Sequence, residues 1–170
     1  MNKIFPVRMD GKMLASTVFL SLLMLCVGVV LLLPVYNSLG GGAFPLLNAM
    51  PAVLLMLVIL VSWLYSPYAY EITSSELIIL RRFMPVRIAL SSITGVRIIA
   101  PEEMKFSIRV CGVGGLFGCY GFYYNKTLGK YSLYARNTKG FVLVEAGSKK
   151  IVLTPDDIEG FVGGLKAVRI

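Results

Sequence analysis

Histidine is absent from this 170-residue chain, and tryptophan occurs once. Without imidazole the chain lacks the commonest acid–base side chain and a favoured zinc ligand. Its three cysteines, Cys26, Cys111 and Cys119, are too few and too irregularly spaced for a disulfide framework or a C-x-x-C redox pair. They read as reduced thiols. A nucleophilic role for Cys111 or Cys119 finds no partner base, and Glu102-Glu103 and Asp156-Asp157 are neighbours in sequence rather than carboxylates facing across a cleft. No catalytic, metal or cofactor site is expected, so the chain reads as a non-enzyme.

Charge is missing as well, but only locally. From Met13 to Tyr70 there is no Lys, Arg, Asp or Glu. A charged side chain at a bilayer centre costs about 2.5–3.5 kcal/mol, so long charge-free runs are the mark of membrane spans. The pattern predicts a flank at residues 1–12, a transmembrane helix at 13–33 and an external turn at 34–45 that begins where Pro34 stops the helix. A second transmembrane helix follows at 46–65, then a soluble domain at 66–170. Trp63, Tyr65, Tyr68 and Tyr70 cluster at the exit of the second span, where aromatic rings settle at headgroup level. No small-x-small cleavage site follows the first run, which argues against a removed signal peptide. The turn carries no charge, whereas Lys3, Arg8 and Lys12 precede the first span. The positive-inside bias then puts both termini and the soluble domain in the cytoplasm of a multi-pass membrane protein.

The net charge of +8 suits a surface held near anionic lipid. Nucleic acid is not an expected partner, because the basic residues are scattered and no recognition motif is present. Beyond Tyr68 the apolar pattern changes to short alternating segments, the signature of half-buried strands. Tyr70 and Ile72, Leu77 and Ile79, and Ile88 and Leu90 mark the first three. Others are expected at 96–100, 106–110, 121–124, 130–135, 141–145 and 149–153. Thr154-Pro155-Asp156-Asp157 supplies a capping hydroxyl, a first-turn proline and acids for a closing helix. Ile158, Phe161, Val162 and Leu165 form its apolar face.

The run Tyr70-x-Ile72-Thr73, Leu77-x-Ile79 and Ile88-x-Leu90-x-x-Ile93-x-x-Val96 resembles the opening of bacterial pleckstrin-homology-like domains. Such domains often follow a pair of transmembrane helices. Gly112-Val113-Gly114-Gly115-Leu116-Phe117-Gly118, the aromatic run Gly121-Phe122-Tyr123-Tyr124-Asn125 and the closing Thr154-Pro155-Asp156 are similar to one subgroup. The resemblance covers about residues 66–168. It implies a PH-like sandwich or barrel of about seven antiparallel strands closed by one C-terminal helix, in a bacterial inner membrane, and it implies no activity. Phosphoinositide-binding relatives place bases in the first hairpin; here that hairpin is Thr73-Ser74-Ser75-Glu76, which has none.

Two candidate surfaces remain. The Gly-rich segment fits neither a dinucleotide fingerprint nor a P-loop, since Phe117 stands where a glycine is required and Asn125-Lys126-Thr127 follows no P-loop glycine. Gly114, Gly115, Phe117, Tyr120, Phe122 and Tyr123 are instead the expected surface for a protein partner. Arg81, Arg82 and Arg87 are the expected contacts for anionic lipid. The chain reads as a membrane-anchored adaptor presenting its domain to a membrane or cytosolic protein, with lipid headgroup recognition as the alternative. Self-association is compatible with either.

Overall fold

The structure, a computed structural model, describes residues 2–38 and 45–168, and the side chains of these outside 34–48. Two helices, α1 (Gly11–Ser38) and α2 (Pro45–Tyr65), pack against each other. The helix α1 runs through Pro34 instead of ending there, because a proline removes one backbone donor and need not terminate a helix whose surroundings favour it. The rest of the predicted external turn, 39–44, lies outside the described residues. Gly11–Leu33 is long and apolar enough to cross a membrane, and only 6% of its most apolar stretch is buried, so it is no core helix. The corresponding apolar stretch of α2, Ala49–Tyr65, is shorter.

Ten strands are present among the described residues, not about seven. The extra one at the start, β1 (Lys3–Pro6), comes from the segment expected to be a mere flank. It pairs antiparallel with β2 (Pro67–Ile72), setting Phe5 opposite Tyr70. With β3 (Glu76–Arg81) and β4 (Val86–Ala89) these make a four-stranded sheet in the order β1-β2-β3-β4. The Thr73 side chain and backbone close the β2–β3 turn onto Glu76, as an alternating pair split by Thr-Ser-Ser requires.

The second sheet contains β5 (Ile93–Ile99), β6 (Ile108–Gly114), β7 (Cys119–Asn125), β8 (Gly129–Ala135), β9 (Phe141–Ala146) and β10 (Lys149–Leu153). Its order is β5-β9-β10-β8-β7-β6, with β10 and β8 parallel. Alternate residues of β9 and β10 point to opposite faces. Val142, Val144, Ile151 and Leu153 therefore meet the first sheet in one core with Tyr70, Leu77 and Ile79. Leu143 and Val152 join Tyr123, Tyr131 and Leu133 in a second core on the other face.

Helix α3 (Ile158–Val168) closes the first core by burying Phe161 and Leu165. Its cap is Asp157, whose carboxylate accepts the Gly160 amide at 2.9 Å, and not Thr154. Thr154 is fully buried and its hydroxyl accepts the Arg136 amide, so tertiary packing draws it away from the helix start. The ring of Phe5 meets Phe161 edge-on at 5.2 Å, which ties the first strand of the chain to its last helix.

Candidate functional site

Two features converge where the helices meet the β domain: a turn fastened between them and a group of arginines beside it. The turn joins β6 to β7. Its glycines serve a definite end, because Gly112 and Gly121 face one another across the hairpin with φ of +132° and +133°. A β-carbon on Gly112 would lie 2.7 Å from the α-carbon of Gly121, so the two strands approach only without side chains.

Beyond them the turn docks on the helices. The hydroxyls of Ser16 and Thr17 donate to the Gly115 carbonyl at 2.9 and 3.0 Å. The amide of Phe117 donates to the Thr17 oxygen at 3.0 Å, and the Phe117 carbonyl accepts from Ser66. Gly115 donates its own amide to the Gly118 carbonyl at 3.1 Å. One residue pair further on, the Tyr120 hydroxyl donates to the Ser62 carbonyl of α2, and burial pushes that phenol up to about 12. The Thr17 side chain of α1 and the Ser62 backbone carbonyl of α2 thus lie at the helix–domain junction. An unpaired polar group in an apolar setting costs several kcal/mol, and the turn supplies partners.

The six residues expected to form a partner surface do not share one exposed face. Tyr120 and Tyr123 are buried, Gly115 lies against Leu20 and Ser16, and Phe117 packs beside Leu57, Leu60 and Trp63 of α2. Phe122 alone is strongly exposed, at 62%. It has different company from that expected. In the β7–β8 register Phe122 stands opposite Ser132 and Tyr120 opposite Tyr134, so all four share a face. Tyr134 packs onto the first core, which identifies this as the face that β1–β4 cover elsewhere. That cover stops short of the hairpin. Phe122, Tyr124, Ile108 and Val110 are left in solvent, together with Phe106 at 94% exposure and a positive φ of 58°. Sequence reasoning missed Ile108 and Phe106 here, since an alternating strand does not announce which of its faces lacks a cover.

The arginines also regroup. Arg87 turns to Glu76, with an ion pair of 3.2 Å, and leaves the other two. Arg82 stacks on Trp63 at 4.4 Å and lies 5.8 Å from the Tyr68 ring centre. Arg81 lies over Tyr65 at 5.3 Å and Tyr134 at 5.9 Å, and donates from Nε to the Met84 carbonyl at 2.8 Å. The Phe83 amide donates to the Leu64 carbonyl at the end of α2, and its ring meets Tyr65 at 5.6 Å. The β3–β4 tip is therefore bound to the exit of α2.

Arg136 is the unforeseen third member. It follows β8, and its side chain passes within van der Waals reach of Gly118 in the docked turn. Burial lowers its pKa below the ordinary arginine value, and the Arg82 charge lowers it further. Its Nε is buried without a hydrogen-bond partner. The ion pairs among the described residues are Arg8–Asp156, Arg87–Glu76 and Arg97–Glu103, none of which includes Arg81, Arg82 or Arg136. Of the thiols, Cys111 is exposed and Cys119 partly buried, with burial raising the Cys119 pKa and so suppressing its thiolate.

The family model described as Bacterial PH domain matches residues 68–168, from the start of β2 to the end of α3. No curated protein and no solved structure matches the chain.

Proposed function

The chain belongs to the bacterial PH domain family, and we propose that it is a membrane-anchored, non-catalytic binding module that takes a protein partner on the uncovered face of its β6–β7 hairpin. PH domains bind lipids or proteins in general, and here they sit on a chain whose α1 is long and apolar enough to span. The observation that carries the reading is the patch of Phe122, Tyr124 and Ile108, which the β6–β7 register puts on one face. It continues a sheet face that is otherwise core, so an apolar partner surface laid on it would extend that core.

Anchoring is supported by connectivity. The pairing of β1 with β2 joins the entry of α1 to the exit of α2 in one sheet, so both ends lie on one side. In this reading α1 and α2 each cross the membrane once. Arg8, Lys12, Arg81 and Arg82 lie near those ends in the chain, and this basic bias supports the reading that that side is the cytoplasm of a bacterial inner membrane. Tethering raises the effective concentration of the domain toward other membrane-bound proteins without any new contact.

The test is a photo-crosslinking residue placed at Phe122 of the full chain in intact membranes, with Lys149 on an exposed strand start as the control position. One discrete protein adduct from position 122, absent from 149 and lost on Ile108→Asp, is expected. Adducts from 149 as strong as those from 122, or none from 122, would overturn the reading.

A further inference from the structure

We infer that the open edge of β6 accepts an extended acidic segment of a partner protein as an added strand, whose apolar side chains continue the Ile108–Tyr124 row. The inference rests on the protein-partner reading above and names the chemistry of the segment that the hairpin takes.

Strand β6 ends the six-stranded sheet, and residues 108–112 are exposed. The opposite edge, β5, has α3 packed against it. The edges of the first sheet, β1 and β4, are four residues long against seven for β6. Short or covered edges resist strand addition, whereas a long bare one presents a row of backbone donors and acceptors. Register fixes what an added strand meets. Ile108, Tyr124 and Lys130 form one row across β6, β7 and β8, so a residue opposite Ile108 joins an apolar face that ends in a positive charge. At the start of the edge, Phe106, Ile108 and Tyr124 line a cleft of about 580 Å³ together with Lys105, Lys126 and Glu102. Arg109 falls on the other face, where its guanidinium lies against Gly114.

The charges select the occupant. From Met104 to Val144 the chain has six basic residues and no Asp or Glu. Four of these, Lys105, Arg109, Lys126 and Lys130, lie on or beside the edge, are exposed, and form no ion pair among the described residues. Against them the cleft wall sets Glu102. A strand with acids at alternate positions is therefore drawn to this edge, while the bulge between Arg109 and Cys111 discourages indiscriminate pairing.

A second copy of the chain fits poorly on two grounds. Two edges of like charge repel. The β6–β7 turn is also fastened to α1 through Ser16 and Thr17, so antiparallel pairing about a two-fold axis puts the two sets of helices at opposite ends. Chains anchored in one membrane do not meet in that way.

The experiment titrates the full chain in detergent with a fluorescent octapeptide of alternating Val and Glu, blocked at both ends, and follows amide exchange of the complex. Saturable binding and slowed exchange over residues 108–112 are expected, with no binding of the Val–Lys counterpart. Joint Lys105→Glu and Lys126→Glu substitution should weaken binding about tenfold, and Lys149→Glu at the start of β10 should leave it unchanged. All three positions are exposed, and melting temperatures equal to that of the unaltered chain establish that the variants fold. Full N-methylation of the peptide keeps its side chains, removes its backbone donors and should abolish binding. Undiminished binding of that peptide marks charge attraction alone and overturns the site. So does equal affinity for the Val–Lys peptide, or slowed exchange outside β6 without slowing within it. Exchange over 108–112 that slows with chain concentration before peptide is added also overturns it, by placing a second copy at the edge. A crosslinked adduct from position 122 without peptide binding leaves a partner on the hairpin face and removes only the edge inference. Absence of both removes the protein-partner reading as well.

Discussion

The hydroxyl of Thr17, in the second turn of α1, accepts the amide of Phe117 and donates to the Gly115 carbonyl, both at 3.0 Å. One side chain thus closes a turn that stands a hundred residues away. Replacing it by Val keeps the shape and removes both bonds. Two partly buried backbone groups lose a partner, though Ser16 still serves the Gly115 carbonyl. Thr17→Val should lower unfolding free energy by about 1–3 kcal/mol, and Thr17→Ser by less than about 1 kcal/mol. Chemical denaturation of the full chain in detergent measures both, and equal values for the two variants would count against the docked turn.

The hairpin leading to that turn tolerates no side chain at its crossing. Gly112→Ala forces a β-carbon against the Tyr120 carbonyl, and Gly121→Ala one against the Cys111 carbonyl, each at a φ that L residues rarely adopt. Each should cost about 2–4 kcal/mol through strain and strand displacement. Gly163, which has open space around its α-carbon, is the control: Ala there should leave the melting temperature unchanged or raise it.

The family match begins at residue 68, but the folded unit includes β1. Phe5 is 3% exposed and packs on Phe161, so Phe5→Ala should destabilise the full chain by about 3–5 kcal/mol. A fragment starting at residue 66 loses the whole strand and should expose Ile72, Tyr70 and Phe161. Its amide exchange in β2 and α3 should be markedly faster than in the intact protein. Unchanged protection in that fragment would show that β1 is dispensable.

Asp10 gives the chain a pH-dependent strap. Partial burial raises its pKa, but hydrogen bonds from the Thr138 hydroxyl, the Met13 amide and the Thr138 amide outweigh it, and the net shift is downward. A carboxylate with a depressed folded pKa stabilises the fold above its unfolded value, about 3.9, and that contribution is lost as pH falls through the folded value. Acidification below about pH 4 should therefore loosen the link between the start of α1 and the β8–β9 turn. Asp10→Asn should show a shallower decline of melting temperature over the same range, and parallel curves would sink the assignment.

Much of this architecture was legible along the chain. Nine of the ten strands overlap segments marked by their apolar pattern, although β9 and β10 are buried on both faces and β6 is exposed along most of its length. The apolar face of α3 is equally plain, as Phe161 and Leu165 occupy its buried positions. The charge-free run from Met13 to Tyr70 contains α1, whose Gly11–Leu33 stretch is long and apolar enough to cross a membrane, and the shorter apolar stretch of α2. What a one-dimensional pattern does not contain is which surfaces meet. Four residues at the N-terminus carry too little periodicity to declare a strand, and β1 exists because β2 offers it an edge and Phe161 a wall for Phe5. Thr154 has the chemistry of a cap but its hydroxyl is held by Arg136. The separation of Arg87 from Arg81 and Arg82, the recruitment of Arg136, and the sharing of one bare face by Phe122 and Ile108 follow from strand register and sheet coverage. Those are set by long-range packing, so local composition decided the elements and tertiary contact decided the sites.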